Sequence, residues 1–446
     1  MGLPLMISVA GIRGIVGEAL TPPVVTRFAA AFARTRGPGT IIVGRDARTT
    51  GPLIRHAVMA GLRGAGRDVI DIGLATTPTT QWAVEHLRAA GGVILTASHN
   101  PAPWNALKFL SDRGEFLSAA DGAEVRRRFE ADQDLWVPWD EVGAESTESN
   151  ALEWHLERVL TQPDLDLEAI RRRRFKVVVD GCSSVGGVAI PALLERLGAS
   201  PVLLDCEPDG RFTRELEPLP EHLGALGRKV VESGADFGVA LDPDADRAAF
   251  VDAVGVPLGE EYTVALGTQV VLARRKGPVV TNLSTSRILA AVCERAGVPL
   301  FRTAVGEAHV VEGLKAHRAI AGGEGNGGMI LPSAHYGRDG LVAVALVMQA
   351  MSGGASLRSL ADALPAYRMI KDKLPLTEKP WAEAAARLET TFEGWSADRT
   401  DGLRFERDGE WVHVRPSGTE PVVRVIAESL AMERTREIVE IARSAL

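Results

Sequence analysis

Apolar runs alternate with amphipathic stretches along most of the chain, and the alternation predicts repeated strand–turn–helix units. TIIVGRD (40–46) is a continuous apolar run ending in a polar turn, as in a buried strand. PLIRHAVMAGLRGAG (52–66) carries a helical apolar stripe and closes on glycine. RDVIDIG (67–73) predicts a strand, TPTTQWAVEHLRAA (77–90) a helix, and GGVILTASHNP (91–101) a strand running into a turn. Strand, helix and strand at this spacing predict parallel βαβ units. The acidic stretch DEVGAESTESN (140–150) is the expected first linker.

The pattern then restarts twice. FKVVVDGCSSVGGVAIPALLERLGA (175–199), PVLLD, EHLGALGRKVVESGA and FGVALDPDADRAAFVD (237–252) form one round. GPVVTNLSTSRILAAVCERAGV (277–298), LFRTAVGEAHVVEGLKAH, RAIAGGEGNGGMILP and the helix DGLVAVALVMQAM form the next. ADALPAYRMIKDKLP (361–375) marks a boundary, and the tail alternates apolar and polar residues between two helical stretches, as in a small α+β unit. The expected fold is three similar mixed α/β domains and a smaller α+β C-terminal domain. The boundaries fall at 1–145, 146–252, 253–365 and 366–446.

The 446 residues are 46% apolar and 24% charged, the balance of a soluble globular chain. Fifty Lys+Arg against 58 Asp+Glu leave a net charge of −8, so no overall basic field for nucleic acid is expected. Cys182, Cys206 and Cys293 are too scattered for a disulfide framework or a zinc site. The longest apolar run, Leu341 to Met348, is far short of a membrane span, and the first residues do not read as an export signal. A cytoplasmic protein without membrane partners is the expectation; a homodimer is left open.

Four loops carry chemistry. TASHNP (96–101) sets Ser98, His99 and Asn100 at the end of an apolar strand, where ligands bind in open α/β sheets, so Ser98 is a candidate nucleophile. Lys108, in WNALKF, is near enough in sequence to reach the same turn. The bland alternative is a surface turn built from Ser, Asn and Pro. In LDPDADR (241–247), Asp242, Asp244 and Asp246 converge from one short loop. Carboxylates that close repel unless a cation neutralises them, and an all-oxygen set suits Mg²⁺; the alternative is a solvated acidic hairpin. Arg247 beside them can hold a phosphate or tether a carboxylate.

GGEGNGG (322–328) matches a dinucleotide fingerprint, but extended MILP follows where a helix is required, so that reading fails. A flexible loop offering Glu324 and Asn326 to sugar hydroxyls remains. RPSGTEP (415–421) combines the Arg415 fork, the Ser417 and Thr419 hydroxyls and the backbone freedom of Gly418, the chemistry of a phosphate pocket or of a plain hairpin turn. Arg13, in VAGIRGIVGE, is either a surface charge or a second phosphate contact. His309, His335 and His413 show no metal-ligand spacing and read as structural.

TASHNP, DPDADR, GEGNGG and RPSGTEP, in this order and one per expected domain, closely resemble the α-D-phosphohexomutase superfamily, which includes phosphoglucomutases, phosphomannomutases and phosphoglucosamine mutases. The resemblance covers essentially the whole chain and implies four domains around a central cleft. It implies that Ser98 is the phosphorylated serine and that Asp242, Asp244 and Asp246 bind Mg²⁺ together with a Ser98 phosphoryl oxygen. Arg13, Arg247, His99 and Lys108 then surround the reacting phosphate, with Lys108 a general acid/base candidate. Glu324 and Asn326 contact the sugar, and Arg415, Ser417, Gly418 and Thr419 hold the second phosphate.

The implied reaction interconverts hexose 6-phosphate and hexose 1-phosphate through a 1,6-bisphosphate, which also serves as primer. The substrate is a small phosphosugar. GEGNGG looks like the archaeal-type phosphoglucosamine mutases, and Glu307 stands where several relatives carry a histidine. A carboxylate there favours a cationic 2-amino group, which puts glucosamine phosphate ahead of glucose or mannose phosphate. A Mg²⁺-dependent phosphatase and a non-catalytic phosphosugar sensor are the rival classes. The second phosphate pocket argues against the first, and an intact Ser98 with three aspartates against the second.

Overall fold

The computed structural model describes residues 5–8, 11–375, 381–417 and 422–446. The described strands form four sheets, and the first three share one plan. In the second sheet Lys176–Asp180 lies between two parallel neighbours, Ser200–Leu204 and Phe237–Leu241; the latter turns back into antiparallel Ala248–Asp252. In the third, Val279–Asn282 lies between Leu300–Thr303 and Ala321–Glu324, which turns back into Gly328–Ile330. In the first, Ile41–Arg45 lies between Val69–Leu74 and Gly91–Leu95, which turns back into Trp104–Leu110. Helical crossovers such as Gly51–Gly64, Gly186–Arg196 and Arg287–Ala296 join the parallel strands, as parallel pairing requires. Helices on both faces explain why VVVD and GGVIL read as unbroken buried runs.

This shared plan makes three loops equivalent. The turns at 96–103, 242–247 and 325–327 each follow the corresponding parallel strand of their sheet and lead into its antiparallel partner. They are the loops that the sequence singles out as serine, acidic and sugar loops.

The second and third units share one apolar core, built around helices Glu261–Arg274 and Gly340–Met351. Gly340–Met351 is apolar on almost every face and buried accordingly. A common core fixes the acidic loop relative to the sugar hairpin, whereas the first and last units have cores of their own. The last sheet is antiparallel throughout, in the order Arg368–Pro375, Val422–Ser429, Glu410–Pro416, Leu403–Arg407, Ser396–Asp398. Helices Trp381–Thr391 and Met432–Ala445 pack against it through Leu388 and Ile438.

The acidic stretch expected to be a linker is ordered. Glu145–Thr147 pairs with Val69–Leu74, so the first sheet runs two residues past position 145. Arg55 explains the pairing: it binds Asp71 at 2.5 Å and Glu145 at 2.6 Å, one carboxylate from each strand. No described helix is long and apolar enough to cross a membrane.

Candidate active site

Ser98 occupies the left-handed region with φ of +47°, uncommon for a residue with a side chain. A buried ion pair behind the turn holds it there. Arg48, 1% exposed, donates to the carbonyl oxygens of Ser98 (2.5 Å), Asn100 (2.6 Å), Pro101 and Trp104 (both 2.9 Å), and to the Asp46 carboxylate (3.1 Å). Asp46 also accepts the Thr96 hydroxyl at 2.6 Å, and Thr96 Oγ1 in turn accepts the Ser98 N–H at 3.0 Å. Both backbone polar groups of Ser98 are therefore fixed through one charge pair. Sequence reading passed over Asp46 and Arg48; the available signal was two opposite charges at the end of an apolar strand.

The other residues expected here do gather. Arg13 donates to Asn100 Oδ1 at 3.2 Å. His99 Nδ1 lies 3.4 Å from Ser98 Oγ and its Nε2 is 3.8 Å from Glu217. Burial, then Arg247 and Arg13, push the His99 pKa well below its ordinary value, which favours the neutral imidazole.

Across the interface between the first two units, Ser98 Oγ donates to Asp242 Oδ2 at 2.9 Å. Asp244 Oδ2 accepts Lys108 Nζ and Thr77 Oγ1, each at 2.7 Å. Asp246 Oδ2 accepts Arg338 Nη2 at 2.5 Å. The remaining oxygens, Oδ1 of Asp244 and Oδ1 of Asp246, are buried and have no hydrogen-bond donor. Orphaned carboxylate oxygens are costly in an interior unless a cation meets them. The three aspartates offer ligand atoms within 4.8 Å of one another. Burial, Asp246 and Asp244 together raise the Asp242 pKa well above the carboxylate range. Burial also opposes the charge on Asp244, but Lys108 and Thr77 hold its pKa below the usual value. This donor set fits a hard divalent cation such as Mg²⁺, with Asp242, Asp244, Asp246 and a Ser98 oxygen as its ligands. Arg247 closes the loop, its Nε 3.6 Å from Asp246 and 3.8 Å from Asp242, and its Nη1 3.3 Å from Glu217.

The sugar loop is a tight buried hairpin rather than a flexible loop. Glu324, 4% exposed, ends the strand Ala321–Glu324 and accepts Asn282 Nδ2 (2.7 Å), Gly306 N–H (3.0 Å) and Arg338 Nη1 (3.0 Å). Its glycines exist for close approach. A Cβ at Gly328 would stand 2.3 Å from Arg338 Cδ, and one at Gly325 would stand 2.0 Å from Glu261 Oε2. Asn326 is at the tip, accepting the Gly328 N–H at 3.2 Å.

Glu307, at the start of helix Glu307–Ala316, is buried, with Oε1 taken by Gln81 (3.2 Å) and Oε2 by Arg338 (2.9 Å). It is not the free carboxylate that its position in the sequence suggests. A cavity of about 340 Å³ is lined by Glu307, Lys315, Arg113 and Glu115 and does not include Ser98 or the aspartates.

In the last unit, Arg415 lies 3.4 Å from Asp401, and Ser417 N–H donates to Val422 O at 2.8 Å, continuing the pairing of Glu410–Pro416 with Val422–Ser429. Gly418 and Thr419 lie outside the described residues. This unit also grips the third: Lys371 donates to Glu260 (2.6 Å), Glu261 (2.9 Å) and the Gly325 carbonyl of the sugar hairpin (3.2 Å). His413 bridges Ser284 (2.8 Å) and the Asp401 carbonyl (2.6 Å). Burial lowers the His413 pKa to about 4.

His335 is likewise better connected than its sequence spacing suggests. It and His155 lie 3.0 Å and 2.8 Å from the same Asp339 oxygen, and His155 Nδ1 faces Thr79 Oγ1 at 2.9 Å. Asp339 also caps helix Gly340–Met351 by accepting two backbone N–H groups. The result is a hydrogen-bonded staple that runs from Thr79 of the first unit through His155 of the second to Asp339 of the third.

A serine hydroxyl on an acidic triad, ringed by Arg and Lys, is an arrangement suited to phosphoryl transfer. The chain matches all four segments of the phosphoglucomutase/phosphomannomutase family: α/β/α domain I over 6–135, domain II over 153–255, domain III over 259–367 and the C-terminal domain over 369–444. It is 37% identical over 440 residues to a phosphoglucomutase/phosphomannomutase of Thermococcus kodakarensis, covering 97% of this chain and 96% of the other. It is 36% identical to a protein of Methanopyrus kandleri named probable phosphoglucosamine mutase, covering 96% and 95% of the two chains. A crystal structure of a phosphoglucomutase/phosphomannomutase family protein from Burkholderia thailandensis superposes with a TM-score of 0.87 at 26% identity, covering 99% and 96%. The chain belongs to the phosphoglucomutase/phosphomannomutase family of the α-D-phosphohexomutase superfamily, and it is an enzyme.

Proposed function

We propose that the protein interconverts hexose 6-phosphates and hexose 1-phosphates through phospho-Ser98 and a bound hexose 1,6-bisphosphate. The observation that carries this is the 2.9 Å hydrogen bond from Ser98 Oγ to Asp242, which places a nucleophilic hydroxyl on the acidic triad. In the first half-reaction the bond from phosphorus to Ser98 Oγ breaks and a bond to the sugar hydroxyl oxygen forms. The sugar hydroxyl gives up its proton as Ser98 Oγ, the leaving oxygen, takes one up; Lys108, held as a cation on Asp244, is the group we assign to hand a proton to Ser98 Oγ and take up the sugar's in exchange. After the bisphosphate turns round, Ser98 takes back the other phosphoryl group. A divalent cation, when bound, supplies neutralisation of phosphoryl charge. Arg13 and Arg247 orient the reacting phosphate, Glu324 and Asn326 the sugar, and Arg415 with Ser417, Gly418 and Thr419 the second phosphate.

Glucosamine phosphate remains a candidate substrate. Breadth across glucose and mannose phosphates is favoured by a specific observation: Arg338 and Gln81 already occupy Glu307, which weakens the charge argument for a 2-ammonium group. Initial rates with glucosamine-, glucose- and mannose-1-phosphate, with Mg²⁺ and a bisphosphate primer, test the reading. Net release of inorganic phosphate would make the protein a phosphatase, and ligand binding without turnover would make it a sensor.

A further inference from the structure

Arg338 is a residue no motif marks, yet it joins the two halves of the site. It is 8% exposed, and each of its nitrogens reaches a different carboxylate. Nη2 meets Asp246 of the acidic loop at 2.5 Å, Nη1 meets Glu324 of the sugar hairpin at 3.0 Å, and Nε meets Glu307 at 2.9 Å. The hairpin is shaped to admit it, because Gly328 leaves open the space its Cδ needs. Its hold on Asp246 is also selective: Oδ2 is bonded, and Oδ1 is left buried without a hydrogen bond, with Arg247 Nε 3.6 Å away.

We propose that Arg338 is a positioning residue that turns Asp246 Oδ1 toward the cation and ties the acidic loop to the sugar hairpin through Glu324, so that cation binding and sugar binding share one geometric support. The proposal deepens the mutase reading and rests on it only for the sugar half. A planar fork suits this task, since one guanidinium can hold three carboxylates at set angles where an ammonium acts as a point charge. Partners that orient metal ligands typically change metal affinity by about tenfold to a hundredfold when removed.

The sign of the effect separates positioning from charge balance. Arg338 is a cation beside a cation site, so removing its charge alone would tighten divalent-ion binding. Positioning demands the reverse. Mn²⁺ affinity, read from the free-ion electron paramagnetic resonance signal without any sugar phosphate, is measured for the native chain, Arg338→Met and Arg338→Lys. The expected result is an Mn²⁺ Kd raised about tenfold or more in both variants. At saturating Mg²⁺ the hexose phosphate KM also rises. Arg338→Met melts lower, because three buried carboxylates lose their counter-charge, whereas Arg338→Lys keeps that charge and melts closer to native.

Equal or tighter Mn²⁺ binding by Arg338→Met overturns the proposal, as does Arg338→Lys with native Kd and KM. If Arg338→Met does not fold, Arg338→Lys decides alone, since it keeps the charge and loses the fork. If the native chain itself binds no Mn²⁺, there is no cation site for Arg338 to support, and the proposal falls together with the cation reading of the acidic triad.

Discussion

Arg48 and Ser98 lie fifty positions apart in the chain, and Arg48 Nη2 donates to the Ser98 carbonyl at 2.5 Å. The contact holds a serine at positive φ so that its hydroxyl faces the aspartates. Arg48→Met leaves Asp46 buried without its counter-charge. Loss of one partner of a buried pair costs about 3–5 kcal/mol. Urea unfolding of this variant should show a loss of that order, and its kcat should fall by a larger factor than its KM rises.

Cation binding should stabilise the fold as well as support turnover. With Mg²⁺ at about a hundred times its Kd, linkage adds about 2.7 kcal/mol to unfolding. Thermal melts with Mg²⁺ and with EDTA check this, and Asp246→Asn should lose most of the Mg²⁺-dependent shift. EDTA should abolish activity, and Mg²⁺ should restore it. A melting temperature indifferent to Mg²⁺ would contradict the reading of the acidic triad.

Glu307→Gln tests the sugar preference. Because Arg338 and Gln81 already occupy the carboxylate, the ratio of kcat/KM for glucosamine phosphate over glucose phosphate should stay within about twofold of native. A roughly tenfold fall in that ratio, about 1.4 kcal/mol, would restore Glu307 as the reader of the amino group.

His413 should make the fold acid-sensitive. Its folded-state pKa of about 4 lies below the ordinary value, because burial outweighs the favourable Asp401 carbonyl and carboxylate, while Arg415 and Arg404 add to the depression. The unfolded chain therefore binds the extra proton first, and stability falls as pH drops below about 6.5 toward 4. This one group accounts for about 1 kcal/mol between pH 7 and pH 5.5. His413→Asn, compared with native by urea unfolding at the two pH values, should lose that increment of pH dependence.

Residues carried by contiguous motifs were legible. Ser98, Asp242, Asp244, Asp246 and Arg247 each sit in a turn after an apolar strand, so local pattern marks their element and brings them to the same end of their sheets. The three-fold repetition of strand and helix was legible for the same reason. Arg338 was not, since its three carboxylates come from 92, 31 and 14 positions away. His155 reaches Asp339 across 184 positions, which no spacing rule within one element can register. The sugar loop was misjudged because glycine signals either freedom or crowding; at Gly325 and Gly328 it is crowding by Glu261 and Arg338. Glu307 was read by its charge, and only packing shows that the charge is already met.

The central claim is that Ser98 carries the phosphoryl group. The native chain and Ser98→Ala would be incubated with glucose 1,6-bisphosphate and Mg²⁺, digested, and mapped by mass spectrometry. The account predicts one phosphoryl group on the native peptide containing Ser98, transferable to added hexose monophosphate, and neither phosphorylation nor mutase activity in Ser98→Ala. Mutase activity in Ser98→Ala, or a native chain active with Ser98 never phosphorylated, would contradict it.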